Sequence, residues 1–502
     1  MNLMMLLEMA SQGFGDRVAF KNEGDELTYE ELFRAAGCAA RQLRESGADH
    51  LAVLDVTSLA LPVGVFAAAW AGRPFVPLNY RLTGEEVENL VGQIAPSRLV
   101  TEPDRVPILE ALPETEVLAR DQFLIAARDS SQDTLSEEWG MDPDEIAILL
   151  FTSGTTGPPK AAVIRHKHLV SYILGSVEYM SADESDAALV SVPPYHIAGM
   201  AAIASSVYSG RRIVQLPNFT AEGWLELARS ENITNAFVVP TMLSRIIEVL
   251  DAEGRTSADL PHLRALSYGG GKMPQAVIER AMELFPDVSF ANAYGLTETS
   301  STISILGPED HRAAMQSDDP AVRRRIVSVG QPLPSVEVEI RDEDGRALGA
   351  NERGEIFVRG EQVSGEYLGK GSRLTDEGWF PTRDGGSVDA EGYLFIEGRI
   401  DDIIVRGGEN ISPGEIEDTL LEHEAVGDAA VVGLPDEQWG EKICCVVVCK
   451  PGQKAGVSEL QQWVKDRLRS SRTPETIDFW DELPYNETGK LLRRKVRAAL
   501  ME

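Results

Sequence analysis

Lys160 stands at the end of a run of hydroxyl and glycine residues: Thr152, Ser153, Gly154, Thr155, Thr156, Gly157, Pro158, Pro159. Such a run could hold phosphate. The glycines let backbone N–H groups turn toward an anion, four hydroxyls add donors, and the lysine adds a mobile positive charge. The common ATPase loop needs a glycine directly before its lysine and a magnesium-binding hydroxyl directly after it. Here Pro159 precedes Lys160 and Ala161 follows it. Pro158 and Pro159 have no N–H to donate, and they disfavour the helix start on which the ATPase loop depends. Two readings survive: a phosphate loop of another kind, or a polar turn. The apolar run EIAILLF at 145–151 reads as a buried strand, so the loop leaves a strand end.

The elements that must position this loop alternate along the chain. Thr28 and Glu31 form a capping-box pattern before LFRAAGCAARQL, whose apolar residues recur at helical spacing up to Gly47. Then come the strand-like LAVLDV, a helix, the strand-like PFVPLN and a helix from Gly84. The same style continues around Leu189 and on to LRALSYGGG. This alternation predicts an α/β fold, with a large N-terminal domain of mixed and parallel sheets flanked by helices. After about residue 325 the runs become short strands joined by Asp-Gly turns, which predicts a small, β-barrel-like part. The last hundred residues, with PGEIEDTLLEH and SELQQWVKDRL around two strand runs, predict a small α+β domain. We place the boundary in the charged run Arg399–Asp402, giving domains 1–400 and 401–502.

Composition narrows the function classes. The chain has 502 residues, with 43% hydrophobic and 25% charged, so a sizeable core is available. A net charge of −33 argues against nonspecific nucleic-acid binding. An anionic ligand must be held by local donors. Cys38, Cys444, Cys445 and Cys449 include no Cys-x-x-Cys pair, so buried reduced thiols are expected, with neither zinc nor disulfides. The start has no basic region and carries Glu8, unlike a signal peptide. The apolar patch LALPVGVFAAAW is too short to span a bilayer and contains Pro62 and Gly64. The expectation is a cytoplasmic protein without an integral membrane segment. Peripheral membrane contact and oligomeric state stay open.

Seven motifs occur in a fixed order: TSGTTGPPK, PPYHIAG, SYGGGKMP, NAYGLTETS, WFPTRDGG, GRIDDIIVRGGENISPGEIE and NETGK. Together they resemble the adenylate-forming superfamily of acyl-CoA synthetases, luciferase and peptide-synthetase adenylation domains, over about residues 25 to 495. GGENISPGEIE leans toward the acyl-CoA synthetase branch. The resemblance implies that residues 152–160 form a flexible loop over the β- and γ-phosphates of ATP. It implies that Gly269, Gly270 and Gly271 run beside the adenine and the acyl pocket. In Asn292-Ala293-Tyr294-Gly295, Tyr294 offers its ring to adenine. Thr297 stands near the α-phosphate, and Glu298 is a hard oxygen ligand for Mg²⁺. Asp384 suits the ribose hydroxyls, Arg399 the ribose or phosphate, and His196 lines the acyl pocket.

The resemblance further implies a hinge at Asp401. In one orientation the small domain brings in Lys490 against the carboxylate and α-phosphate oxygens. In the other it brings in Gly407 and Gly408, which leave room for the pantetheine arm of coenzyme A. The implied reaction takes a small carboxylic acid, ATP and Mg²⁺ to an acyl adenylate and then to acyl-CoA. The pocket segments show no charged specificity residue, which favours a medium- or long-chain fatty acid. An aromatic or steroid-derived acid, a carrier-protein thiol as acceptor, and a non-catalytic binding protein on the same fold are the alternatives. The sequence departs from the family pattern at Arg383, where a glycine is usual, and at Ala161. Arg472 replaces a usual lysine and keeps its charge, as a candidate contact for coenzyme A phosphate.

Overall fold

In the computed structural model, which describes residues 1–129, 138–152, 159–486 and 489–501, the capping box at Thr28 forms as its sequence dictates. The Thr28 hydroxyl accepts from the Glu31 N–H, the Glu31 carboxylate accepts from the Thr28 N–H, and the helix Tyr29–Ser46 ends at Gly47 in the left-handed region. Thr83 and Glu86 repeat the device for the helix Gly84–Val91.

Two large sheets make the N-terminal domain. One has nine strands, with parallel Ser289–Leu296, Ala265–Gly269, Asn235–Val238, Ala187–Val190 and Arg212–Gln215 side by side. The other has eight strands and pairs Ile146–Thr152 antiparallel with Lys160–Arg165. The main core lies against the helices Met4–Phe14, Tyr29–Ser46, Ala60–Ala71 and Ile197–Ser209. Ala60–Ala71 is buried on every side except at its last residue, which marks a core helix. No described helix is long and apolar enough to cross a membrane. The β-rich part is a four-stranded antiparallel sheet, Glu337–Arg341, Gly354–Arg359, Phe380–Val388 and Leu394–Arg399, with its own apolar cluster.

The C-terminal part is α+β. Gly440–Cys449 lies between Val426–Asp436 and Thr476–Phe479, flanked by the helices Pro413–Leu421 and Val457–Arg467. Strand alternation sends Cys445 and Cys449 to one apolar cluster and Cys444 to another, so both sheet faces are covered. All four cysteines are free thiols. Sequence periodicity missed the N-terminal helix Met4–Phe14 and the last helix, Arg493–Met501, whose basic surface hides a single buried anchor, Val496.

Candidate active site

Parallel strands deliver their loops to one edge of a sheet, and that edge is where ligands bind in open α/β sheets. An open cleft of about 1790 Å³ lies there. Thr152 and Lys160 line it as paired residues at the mouth of a hairpin, with the Thr152 hydroxyl donating to the Lys160 carbonyl at 3.3 Å. Ser153, Gly154, Thr155, Thr156 and Gly157 lie outside the described residues.

Thr297 and Glu298 line the same cleft from a short 3₁₀ turn. The cap of this turn is Thr299, whose hydroxyl accepts from the Leu296 N–H at 2.9 Å. Thr297 is therefore spared for the cleft. One Glu298 oxygen, Oε1, accepts from the Tyr367 hydroxyl. Ser300 and Ser301 follow with φ of 56° and 114°, a strained exit of the kind that clusters at ligand sites.

Behind this turn three residues far apart in sequence meet. The Tyr294 hydroxyl donates to Asp384 Oδ2 at 2.6 Å, and Arg399 donates to Asp384 Oδ1 at 2.9 Å. Burial, and then the Asp384 charge, push the Tyr294 phenol well above its ordinary value. Arg399 lines the cleft, whereas Tyr294 packs partly buried against the apolar cluster of the β-rich part. Asn292 is turned away from the cleft, with its amide donating to the Ser328 carbonyl at 3.0 Å. Ala293, Gly295 and Gly270 line the cleft. Gly269 does structural work instead. A Cβ there would stand 2.2 Å from the Ala293 carbonyl oxygen of the neighbouring strand.

Lys490 reaches this constellation from the small domain. Its backbone N–H is held by Asn486 Oδ1 at 2.7 Å, and its side chain lines the cleft. Gly489, at φ 72°, packs so closely on Thr241 of the large domain that a Cβ would meet its hydroxyl oxygen at 2.7 Å. The Gly489 carbonyl faces Gly271. Burial, and then Arg399, hold the Lys490 ammonium below the ordinary lysine range, against the opposing pull of Asp384, Asp402 and Glu298. These four charged groups around it set Lys490 in the cleft, apart from the basic surface of the following helix.

His196 lines the cleft just before the helix Ile197–Ser209, its ring 4.7 Å from that of Tyr195. Its Nε2 has no hydrogen-bond partner among the described residues, and burial pushes its pKa down to about 4, so the imidazole is neutral at pH 7.

The cleft continues as a tunnel between this helix and the sheet. Ala198, Ala201, Ala202 and Ser205 form one helical stripe along it. Opposite stand alternate residues of the strands: Ala188 and Val190, Asn235 and Phe237, Ala265 and Ser267. The strand from Ala265 to Gly269 gives a depth of about 13 Å. Arg211, just past the C-terminal end of the helix, lines the cleft too. Sequence reasoning named neither Arg211 nor Asn235 nor Tyr367.

Three further expectations meet the structure differently. Gly407 and Gly408 form the tight turn between Ile404–Arg406 and Glu409–Ile411, with φ of 59° and 82°. They are exposed and do not line the cleft that holds Lys490. The Arg472 guanidinium donates to Glu415 and Glu409, each at 2.6 Å, within the small domain. Arg383 keeps the left-handed backbone of the glycine it replaces, at φ 62°, and its side chain pairs with Asp401 at 2.5 Å.

Against known proteins, the chain matches the AMP-binding enzyme family over residues 7–368 and the AMP-binding enzyme C-terminal domain over 415–490. It is 34% identical over 491 residues to the fatty acid–[acyl-carrier-protein] ligase ScoC of Streptomyces coeruleorubidus, covering 95% of this chain and 92% of that protein. A feruloyl-CoA synthase of Amycolatopsis sp is 31% identical over 487 residues, covering 95% of each. Among solved structures, o-succinylbenzoate CoA synthetase (MenE) from Bacillus subtilis, in complex with its acyl-adenylate intermediate, superposes with a TM-score of 0.85 at 28% identity, over 98% of this chain and 97% of that one. ATP-bound MatB from Rhodopseudomonas palustris gives 0.88 at 26% identity, over 100% and 99%.

Proposed function

On the premise that this chain belongs to the AMP-binding enzyme family and is an AMP-forming acid–thiol ligase, we propose that it activates a carboxylic acid with an apolar, medium-length body, such as a fatty acid, and passes the acyl group to coenzyme A. The observation that carries this reading is one continuous cleft. It joins Lys160, Thr297, Glu298, Arg399 and Lys490 at the sheet edge to a tunnel walled by alanines, Val190 and Phe237.

A carboxylate is a poor electrophile toward a thiol. Its oxygen therefore attacks the α-phosphorus of ATP, an acyl O–P bond forms, and pyrophosphate leaves with the electron pair of the broken P–O bond. Charge shifts onto the oxygens between Lys490, Thr297 and Arg399, and preorganised donors aimed at developing charge lower such barriers most. The described residues hold no group of three His, Cys, Asp or Glu able to take a metal by themselves. Glu298, with Oε2 free of the Tyr367 bond, fits magnesium, which takes one or two carboxylates and completes its shell with phosphate and water. A magnesium ion bound there supplies charge neutralisation at the phosphate oxygens. In the second step the thiol, having lost its proton, attacks the acyl carbon, and AMP leaves. Neutral His196 stands where the acyl carbonyl passes from one step to the next.

The small domain must then swing about Asp401, withdrawing Lys490 and presenting Gly407–Gly408. The contacts to be broken include the ion pairs Arg383–Asp401 and Lys272–Asp418, both 2.5 Å and exposed. Such pairs are individually worth about 0–1 kcal/mol, which suits a mobile domain. Arg383→Gly removes one pair and keeps the left-handed backbone. It should slow single-turnover adenylate formation at low salt by up to about fivefold. It should also reduce the salt dependence of that step, with the Lys272–Asp418 pair left in place. A variant with unaltered salt dependence contradicts a latching role.

The likeness to ScoC favours one second reading, a carrier-protein thiol as acceptor. Wild-type enzyme charged with a radiolabelled acid and ATP separates the two. Label released as acyl-CoA on adding free coenzyme A supports our reading. Label transferred only to a phosphopantetheinylated carrier protein supports the other.

A further inference from the structure

Arg211 follows the helix Ile197–Ser209 and immediately precedes the strand Arg212–Gln215, and it lines the cleft at the opposite end of that helix from His196. Its neighbour Arg212 is engaged, donating to Glu231 Oε2 at 2.8 Å and to the Glu231 carbonyl at 2.8 Å. The Arg211 side chain has no hydrogen bond and no ion pair among the described residues, and its Nε is buried. Asp186, whose charge reaches it, is taken up by Arg264 at 3.3 Å and by the Asp183 N–H at 3.1 Å. Burial lowers the Arg211 pKa below the usual arginine value. A half-buried guanidinium whose Nε is shut off from water and has no acceptor is costly to keep without a partner.

A second donor faces the same end. The Asn235 side-chain oxygen accepts from the Thr234 hydroxyl at 2.7 Å, and its amide nitrogen has no partner among the described residues. Asn235 lies two strands from Ile213 in the register of the sheet, about 10 Å at the backbone, and Arg211 is two residues before Ile213. The tunnel is thus mostly apolar, with Ser205 and Ser267 among its walls, and it runs to two donors that have no acceptor among the described residues. Methyl-ended chains leave both unpaired.

We infer that the acid activated here carries a second anionic oxygen group, a carboxylate in the first instance, at the end remote from the reacting carboxyl, and that Arg211 and Asn235 bind it. Arg211 is then a specificity residue, because a carboxylate accepts the guanidinium fork in two parallel bonds. The inference rests on the acyl reading of the tunnel given above and sharpens it.

Two matched series of straight-chain acids test it, one methyl-ended and one α,ω-dicarboxylic, each spanning short to long chains. Acid-dependent ATP–pyrophosphate exchange is read with wild type and with Arg211→Met, an unbranched apolar replacement. At the best length, wild type should prefer the dicarboxylate in kcat/KM by roughly ten- to a hundredfold, the worth of a charge-assisted bond in a desolvated site. Arg211→Met should reverse that order while keeping exchange with methyl-ended acids. Wild type that prefers methyl-ended acids at every length overturns the inference and leaves the ligase reading standing. So does an Arg211→Met enzyme whose preference is unmoved. If the variant does not fold, the wild-type order alone decides. Exchange with neither series overturns the acyl reading of the tunnel, and the inference with it.

Discussion

Lys490→Ala should abolish most of the first half-reaction and spare the second. On the proposed swing the ammonium is the movable charge of the cleft: its backbone N–H is held by Asn486, and the preceding Gly489 is seated against Thr241 and Gly271. Removing a preorganised donor of this kind costs about 10²–10³ in rate. Acid-dependent ATP–pyrophosphate exchange should fall by that factor. Transfer from a supplied acyl adenylate to coenzyme A should change by less than about threefold, as expected of a group absent from that transition state. The alanine leaves the loop's backbone bonds intact, so the thermal midpoint should hold. Equal loss of both steps contradicts the proposed swing of the domain, since it makes Lys490 a fixture of both.

The second large effect is Glu298→Gln. The substitution keeps the shape and an oxygen that accepts from Tyr367, and the Glu298 backbone carbonyl still receives the Ser364 N–H at 2.8 Å. It removes the negative charge offered to magnesium. Exchange should fall by about 10²–10³, a loss on the scale of other preorganised charge stabilisers. The magnesium concentration at half-maximal rate should rise with it, by at least about tenfold. A variant with reduced rate and an unmoved magnesium midpoint shows that Glu298 acts on something other than the metal.

What the sequence makes legible here is what depends on local chemistry. Thr28 and Glu31 announce a helix start through their own side chains, and alternation announces that Cys444 and Cys445 face opposite ways. The motif residues Thr297, Glu298, Arg399 and Lys490 come together because each sits at an element's end, where loops meet. Side-chain partnership between distant residues is not legible in the same way. Tyr367 lies 69 residues from the carboxylate it bonds. Arg472 looks like a free charge until the fold sets Glu415 and Glu409 beside it. Arg211 and Arg212 are adjacent and identical in type. Only the approach of Glu231 to one of them leaves the other facing the tunnel. The one available signal was the doublet itself, opening a strand beside an alanine-rich helix.

Arg383 shows the converse. The departure from glycine is plain in the sequence, and its cost is plain in the structure, since a side chain at φ 62° carries about 1–2 kcal/mol of strain. Its contact with Asp401 gives that strain a purpose within the proposed hinge.

The proposed chemistry of the cleft that joins Lys490 to the alanine-walled tunnel is acyl-adenylate formation. Its most direct measurement is ATP–pyrophosphate exchange in the absence of any thiol, with wild-type enzyme, magnesium and a panel of carboxylic acids. Exchange that appears only when an acid is added, and falls by about 10²–10³ in Lys490→Ala, is the expected result. Exchange that proceeds without acid, or that no acid supports while folded enzyme still binds ATP, contradicts it.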